Sequence, residues 1–306
     1  MRILITGGAG FIGSHLVEGL AHDGHDIVVL DDFSSGRSEN LVGLSVGFEL
    51  IVGDLCDRDT VRKAIAGCEA VVHHAAIASV PASLEQPVAS GSVNCQGTAL
   101  LFEEARAAQV SRIVLASSSA VYGESDAPLT EDSPTRPLSP YGARKLFAEH
   151  LGRSLALAGG PDCVALRYFN VFGPRQRSDS DYAAAIPIFF RRIEEGLSPI
   201  VYGNGAQTRD FVFVRDVVEA NRRALSAPGR FDGECFNVAS GAPISIAELA
   251  TEILALHDSD LPIEFQDPRP GDIVRSSASI DRITERLDWR PEYTLAQGLR
   301  AVVPTV

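Results

Sequence analysis

The feature that most limits the fold stands at the start of the chain. Ile3-Leu4-Ile5-Thr6 is a short apolar run, and it leads directly into Gly7-Gly8-Ala9-Gly10-Phe11-Ile12-Gly13. The glycines read as GxxGxxG from Gly7 or as GxGxxG from Gly8. That spacing has little weight alone. Here it leaves a strand and opens an amphipathic helix over Phe11–Ala21, which is the context the motif requires. Glycine permits the tight turn and lets the backbone approach a pyrophosphate. The helix N-terminus adds N–H groups and partial positive charge. The turn therefore reads as a dinucleotide-binding element, with Gly7, Gly10, Phe11, Ile12 and Gly13 against the ligand.

The rest of the first half supplies the sheet that such a turn needs. Apolar runs at Ile27–Leu30, Leu50–Val52, Ala70–Val72, Ile113–Leu115 and Val164–Leu166 alternate with helical patterns at Asp59–Ala66, Ser90–Ala108 and Tyr141–Ala158. Strands apolar on both faces imply a parallel sheet covered by helices on both sides, with right-handed crossovers. After about Asn170 the pattern changes. Arg175–Asp181 is polar and loop-like. Short strands follow near Ile200–Tyr202, Phe211–Phe213, Cys235–Asn237 and Ile263–Phe265. Helices are expected at Ile186–Glu195, Val214–Leu225, Ile246–Leu256 and Ser279–Leu287, with a further short helical pattern before the end. The expected fold is α/β, a Rossmann-type doubly wound parallel sheet with a smaller C-terminal α/β substrate lobe. The expected division is 1–170, with a returning segment near 205–240, for the first domain. Residues 171–204 and 241–306 form the lobe.

Composition narrows the function. The chain has 306 residues, enough for a real core, and a formal net charge of −13. Such acidity argues against wrapping nucleic acid or an anionic membrane. An anionic ligand must be met by a few local arginines or by backbone dipoles. No run of 18 apolar residues exists to span a bilayer. The five cysteines are odd in number and lack a CxxC pair, which excludes a disulfide framework or zinc ribbon and fits a reducing cytoplasm. Met1 to Thr6 already reads as a buried strand, leaving no room for a signal peptide.

Two further constellations carry chemistry. Tyr141-Gly142-Ala143-Arg144-Lys145 is a YxxxK spacing, which puts both side chains on one helix face. A phenol is a poor base at neutral pH, since its ordinary pKa is about 10. A neighbouring ammonium and a nicotinamide cation both favour the phenolate. Lys145 is one of only 2 lysines beside 25 arginines, so a compact cation is kept where arginine would not serve. Ser117-Ser118-Ser119-Ala120-Val121-Tyr122-Gly123 follows the fifth strand, where ligands bind in open α/β sheets. Its hydroxyls can relay or stabilise a proton on a sugar oxygen, or cap their own turn. Asp31 ends the second strand, where an acid accepts hydrogen bonds from the adenosine ribose and repels a 2′-phosphate; NAD is thus favoured over NADP. Asp54-Leu55 follows the third strand and borders the adenine in this reading. His73-His74 reads as strand-end packing and Trp289 as packing in the small lobe.

With these residues in view, the chain resembles the extended short-chain dehydrogenase/reductase family. It is most similar to the nucleotide-sugar 4-epimerases of the UDP-glucose or UDP-N-acetylglucosamine type. The likeness runs end to end through TGGAGFIG (6–13), LDDFSSG (30–36), HHAA (73–76), VN (93–94), SSSAVYG (117–123), SPYGARK (139–145), RYFNVFGPRQ (167–176), YGNGAQTRDFVFVRD (202–216), FNVASG (236–241) and RPGD (269–272). The resemblance implies Tyr141 as base, Lys145 as its activator and ribose ligand, and Ser118, assisted by Ser119, as partner of the sugar 4-oxygen. It implies that Asp32, Phe33, Ser35, Gly36, Ala75, Ala76, Asn94, Ser117 and Tyr168 line the NAD. Asn170, Ala184, Ala185, Arg209, Arg269 and Asp272 would hold the nucleotide diphosphate, a task that suits guanidinium forks. Ser276 stands where similar epimerases control room for an N-acetyl group.

Related sugar 4,6-dehydratases place Asp-Glu after the first hydroxyl of the serine turn, and UDP-glucuronate decarboxylases place Ser-Glu there. This chain has Ser119-Ala120, so no carboxylate is ready to take the C5 proton. The expected reaction is inversion at C4 of a UDP-sugar through a transient 4-keto sugar, with NAD kept bound. UDP-glucuronate 4-epimerisation is the nearest rival, on the Arg175-Gln176-Arg177 loop. A 4-keto sugar reductase or dehydrogenase and a non-catalytic NAD-binding regulator stand further off. The resemblance also implies a homodimer through the helices of Ser90–Ala108 and Tyr141–Ala158.

Overall fold

In the computed structural model, which describes residues 1–125, 128–178, 184–268 and 274–303, the apolar runs become neighbouring strands. These are β1 (Arg2–Thr6), β2 (Asp26–Asp31), β3 (Glu49–Val52), β4 (Ala70–His73), β5 (Arg112–Ser118) and β6 (Asp162–Tyr168). Beyond them lie β7 (Val171–Phe172), β8 (Ile200–Tyr202), β9 (Thr208–Arg209), β10 (Val212–Phe213), β11 (Glu234–Val238), β12 (Ile244–Ser245) and β13 (Glu264–Gln266). Seven strands pair in parallel in the order β11-β6-β5-β4-β1-β2-β3. The order reverses between β1 and β4, and the crevice beyond their carboxyl ends is where such sheets bind ligands. The segment Glu234–Val238 thus returns to the first sheet beside β6.

Alternation along each strand feeds two cores. Ile3 and Ile5, Ile27 and Val29, and Val114 and Ala116 point to one face; Leu4, Val28 and Ile113 point to the other. The first face is covered by α1 (Phe11–His22), α8 (Val214–Ser226) and α10 (Asp281–Leu287). The second is covered by α2 (Arg58–Ile65), α5 (Thr98–Ala107) and α6 (Pro140–Leu157). Leu16, Val17 and Leu20 are fully buried and fasten α1, each contributing roughly 1.5–3 kcal/mol. Ser139 caps α6 by accepting from the Gly142 amide, and Pro140 occupies its first turn.

A separate core joins α7 (Ala185–Glu194), β8, α9 (Ile246–Leu256) and α11 (Leu295–Val302) through Phe189, Val201, Leu249, Ile253 and Leu299. Three two-stranded pairs, β7 with β10, β9 with β12 and β8 with β13, serve this part of the chain.

Two expectations need correction. Helix begins ten residues before Ser90, as α3 (Val80–Glu85) and α4 (Pro87–Gly91), and a π-helical stretch, Ser92–Gly97, separates α4 from α5. Pro81 and Pro87 read as breakers, but both stand in first turns, where proline is tolerated. Trp289 packs on the sheet beside α8, not in the lobe. It follows α10, which lies against β11 and α8, and its indole donates to the Asp216 carbonyl at 3.0 Å.

Candidate active site

The glycine turn leaves β1 at the sheet's reversal point. Gly7 has φ +71°, and a Cβ there would come within 2.7 Å of the Ala75 amide nitrogen. A Cβ at Gly13 would meet the Gly7 carbonyl oxygen at 2.0 Å. Gly10 stands at the N-cap of α1 with no side chain to cap it, so Phe11, Ile12 and Gly13 open the helix toward the crevice. Asp31 is buried at the end of β2 and accepts from the amides of Ala9 and Phe33, both at 2.8 Å. Burial raises its carboxyl pKa while those amides oppose the shift. Asp31 thus braces the turn itself, and each oxygen keeps a lone pair for a ribose hydroxyl.

The neighbouring expectations fall into place around this turn. Asp32 accepts from the Ser34 amide and hydroxyl. Phe33 and Gly36 line a shallow cavity of about 370 Å³, and the Ser35 carbonyl accepts from Arg177. Asp54 is exposed and closes its own turn by accepting from Cys56, while Leu55 is buried. Ala75 donates to the Thr6 hydroxyl, which fixes the path through Ala76. Tyr168 stacks on His74 with ring centroids 5.6 Å apart and accepts from Asn221. His73 is buried between the hydroxyls of Thr6 and Thr98. The uncapped amides of α1, the acid at the end of β2 and the alanines that follow β4 fit a dinucleotide.

Two residues expected beside the cofactor also hold the fold through their side chains. Asn94 is buried within the π-helical stretch, and both ends of its amide bond the backbone of Ile77. Ser117 directs its hydroxyl to Glu149 at 2.5 Å and is buried. Each side chain therefore holds the wall of the crevice together. A serine read from sequence alone carries no sign of an acid 32 residues away.

The YxxxK helix lies against the end of β5. Ser118 faces the Tyr141 side chain and works to lower its pKa, and its hydroxyl accepts from the Ala120 amide and so caps the short turn that Ser119 begins. Lys145 is buried, with Nζ donating to the Ala116 carbonyl at 2.7 Å and lying 5.9 Å from the centre of the Tyr141 ring. The phenol is not primed by the chain alone. Burial raises the Tyr141 pKa, opposed by Ser118, and burial pushes Lys145 down to about 8. The expectation that a cation lowers Tyr141 is thus unmet by Lys145 alone, because desolvation outweighs it.

A cavity of about 470 Å³ opens beyond β6 and is lined by Asn170, Ala184, Ala185 and Arg209. Asn170 has φ +20° and donates to the Asp210 carbonyl, which places it at the rim. Ala184 is the uncapped N-cap of α7. Sequence reasoning missed Gln176, Arg191 and Arg192 in the same wall. The signal was present as two arginines directly after the apolar run Ala185–Phe190. The cavity combines guanidinium groups with a helix N-terminus, the chemistry of an anion site. Arg269 and Asp272 lie outside the described residues. Ser276 is buried, its amide donating to the Thr208 carbonyl, and it is not among the residues lining this cavity.

Comparison with known proteins agrees with this arrangement. The profile of the NAD dependent epimerase/dehydratase family matches residues 3–239. The chain is 41% identical to a UDP-glucose 4-epimerase of Mycolicibacterium smegmatis, over 99% of this chain and 97% of that one. It superimposes with a TM-score of 0.94 and 38% identity on a UDP-N-acetylglucosamine 4-epimerase of Methanobrevibacter ruminantium, solved with UDP-N-acetylmuramic acid, covering 99% and 96% of the two chains. A Thermus thermophilus UDP-glucose 4-epimerase solved with NAD gives 0.89 and 36%, covering 99% and 98%. The glycine turn leaves β1 at the point where the strand order reverses and the YxxxK helix meets the serine turn at the end of β5, and with that match the chain belongs to the NAD-dependent epimerase/dehydratase family.

Proposed function

We propose that the chain inverts C4 of UDP-sugars, acting on UDP-glucose and UDP-galactose and on their N-acetylated counterparts. The observation that carries this reading is the buried Lys145 on α6, one turn beyond Tyr141, with the serine turn of Ser118 beside them at the end of β5. When bound, NAD supplies a hydride acceptor and donor and a positive ring beside the phenol. Tyr141 takes the proton of the 4-hydroxyl, Ser118 holds the oxygen it leaves, and Lys145 favours the phenolate. Arg209, Arg191 and Arg192 clamp the diphosphate, so that the 4-keto sugar turns about its link to a fixed nucleotide. Tyr141 then returns the proton to the inverted alcohol. Ser119-Ala120 offers no carboxylate to take the C5 proton, which disfavours loss of water or carbon dioxide.

The glucuronate rival needed an arginine of the 175–177 loop. Arg175 is engaged by Glu18 at 2.6 Å, and Arg177 reaches the Ser35 carbonyl; neither lines the arginine-rich cavity. Neutral hexoses are therefore favoured. The likeness to an N-acetylglucosamine epimerase and the small Ser276 support tolerance of N-acetyl groups. The same reading assigns 1–170 and the returning segment near 205–240 to NAD, and 171–204 and 241–306 to the UDP-sugar, except that Asp281–Trp289 packs back on the first sheet and Arg209 serves the diphosphate. It includes a cytoplasmic homodimer, for which Phe147 and Leu157 leave apolar surface on α6.

The test is turnover of UDP-glucose, UDP-N-acetylglucosamine and UDP-glucuronate without added reductant, followed at H1 and H4 by proton NMR. Conversion of the first two to their galacto epimers is expected. Absence of conversion in protein that releases NAD on denaturation would overturn the proposal.

A further inference from the structure

Three turns of α6 meet three consecutive residues of β5. Tyr141 faces Ser118, Lys145 donates to the Ala116 carbonyl and Glu149 accepts from the Ser117 hydroxyl. Glu149 is 4% exposed and Arg167, on β6, is 5% exposed, so the two form a buried ion pair. The pair is bidentate, at 2.9 Å from Nε and 2.7 Å from Nη2. Arg167 also donates to the Tyr122 hydroxyl at 2.7 Å and lies 4.8 Å from the centre of that ring. Ser117 and Tyr122 flank the serine turn. One charge pair therefore grips both ends of that turn and roots it on the helix that carries Tyr141. The Tyr122 hydroxyl in turn donates to Asn237 Oδ1 on β11 at 2.6 Å, so the frame extends to the sheet's outer strand.

We propose that the Glu149–Arg167 pair is the positioning device of the active site, setting Ser118 against Tyr141 and keeping a negative charge one turn beyond Lys145. A purely structural role does not require this design. A buried ion pair is no more stabilising than apolar groups of similar shape, but it fixes orientation when every hydrogen bond is satisfied. Glu149 also acts on Lys145 through its field, raising the ammonium pKa against the burial that depresses it. The other groups around Lys145 are few. Tyr141 shares its helix, His73 and His74 at the end of β4 are held neutral by burial with pKa about 3, and Arg167 is spent on Glu149. Cys235 on β11 donates its thiol to Glu149, and burial pushes that thiol up to about 12.

The inference rests on the epimerase reading for its kinetic arm alone. The NAD-loaded protein is compared as wild type, Glu149→Gln, Arg167→Gln and the double variant. Three quantities are read: the thermal midpoint, kcat and KM across pH, and the Tyr141 titration. The last is the tyrosinate absorbance of each protein minus that of its Tyr141→Phe partner. Each single variant is expected to lower kcat about 100-fold through misplacement of the reacting groups, with KM changed little because the nucleotide cavity is untouched. In Glu149→Gln the Tyr141 midpoint rises by about one pH unit, a tenfold change in ionisation. The alkaline loss of kcat moves to lower pH, since Lys145 gives up its proton sooner. The double variant removes both buried charges, so its thermal midpoint recovers while kcat stays low. Recovery of kcat and of the Tyr141 midpoint along with stability would overturn the proposal. So would single variants that lose stability with an unmoved alkaline limb and Tyr141 titration. Failure of the wild type to turn over any UDP-sugar would instead defeat the epimerase reading, and the titration would still decide this one.

Discussion

Replacing Gly13 by alanine asks whether α1 must lie where the glycines put it. The new Cβ would sit 2.0 Å from the Gly7 carbonyl oxygen and 2.9 Å from the Gly8 Cα, both backbone atoms with no rotamer to yield. A close C···O contact needs about 3.3 Å, so the methyl must retreat by about 1.3 Å. The helix cannot follow freely, since Leu16, Val17 and Leu20 are fully buried. Overpacking of this kind costs about 1–3 kcal/mol, against about 1 kcal/mol gained from alanine's helix propensity. Gly91 is the control. It has helical φ −68° and ψ −41°, and its nearest neighbour to an added Cβ is the Arg144 guanidinium at 3.6 Å, an ordinary contact. The same substitution there should raise the thermal midpoint by roughly 2 °C, whereas Gly13→Ala, with the helix gain subtracted, should lower it by up to roughly 4 °C. Gly13→Ala should also be purified with little NAD, because the uncapped amides no longer meet the pyrophosphate. Bound nucleotide is measured by acid release and enzymatic reduction at 340 nm. A Gly13→Ala protein with full NAD and a midpoint at or above wild type would refute the steric argument.

Three further outcomes are expected. Tyr141→Phe should lose about 10²–10⁴-fold in kcat while keeping its NAD, since only the proton acceptor is removed; single-turnover kinetics and nucleotide release check this. Arg209→Ala should weaken UDP binding about 10–100-fold, the loss of a charge-assisted hydrogen bond, as read by calorimetry. His73 and His74 are held neutral, with folded pKa values of about 3 below the ordinary 6.5. The unfolded chain therefore binds their protons first, and each histidine removes about 1.4 kcal/mol of stability per pH unit as pH falls below 6.5. Urea unfolding at pH 7 and pH 5 measures the loss, and a His73→Gln variant with an unchanged slope would contradict it.

The parts of this protein legible in its sequence are those whose signal is local. A strand buried on both faces must be apolar throughout, so β1, β2, β4, β5 and β6 announce themselves. The glycine turn and Asp31 are readable because a tight backbone approach leaves no alternative residue types. Tyr141 and Lys145 are readable from their spacing on one helix. What a local pattern does not show is a side chain's partner when that partner is distant in sequence. Ser117 looks like a crevice hydroxyl until Glu149 is brought against it, and Asn94 looks like a ligand until the exit of β4 is bonded to both ends of its amide. Arg191 and Arg192 look like the polar face of a helix until the fold turns that face into a cavity.

The same reasoning shows why Lys145 alone does not prime Tyr141. Spacing alone brings an ammonium near a phenol, and proximity suggests a lowered pKa. The fold buries both groups and turns the ammonium onto the Ala116 carbonyl, so desolvation raises Tyr141 and lowers Lys145. Each shift moves its group toward the uncharged form, which is what a low dielectric imposes on an acid and a base alike. A site arranged this way is a poor base when empty. It gains strength only when further positive charge enters the crevice. Proton removal is thereby tied to occupancy of the dinucleotide site, and the buried Glu149 then has a definite task. It keeps Lys145 charged in a crevice whose burial works to neutralise it.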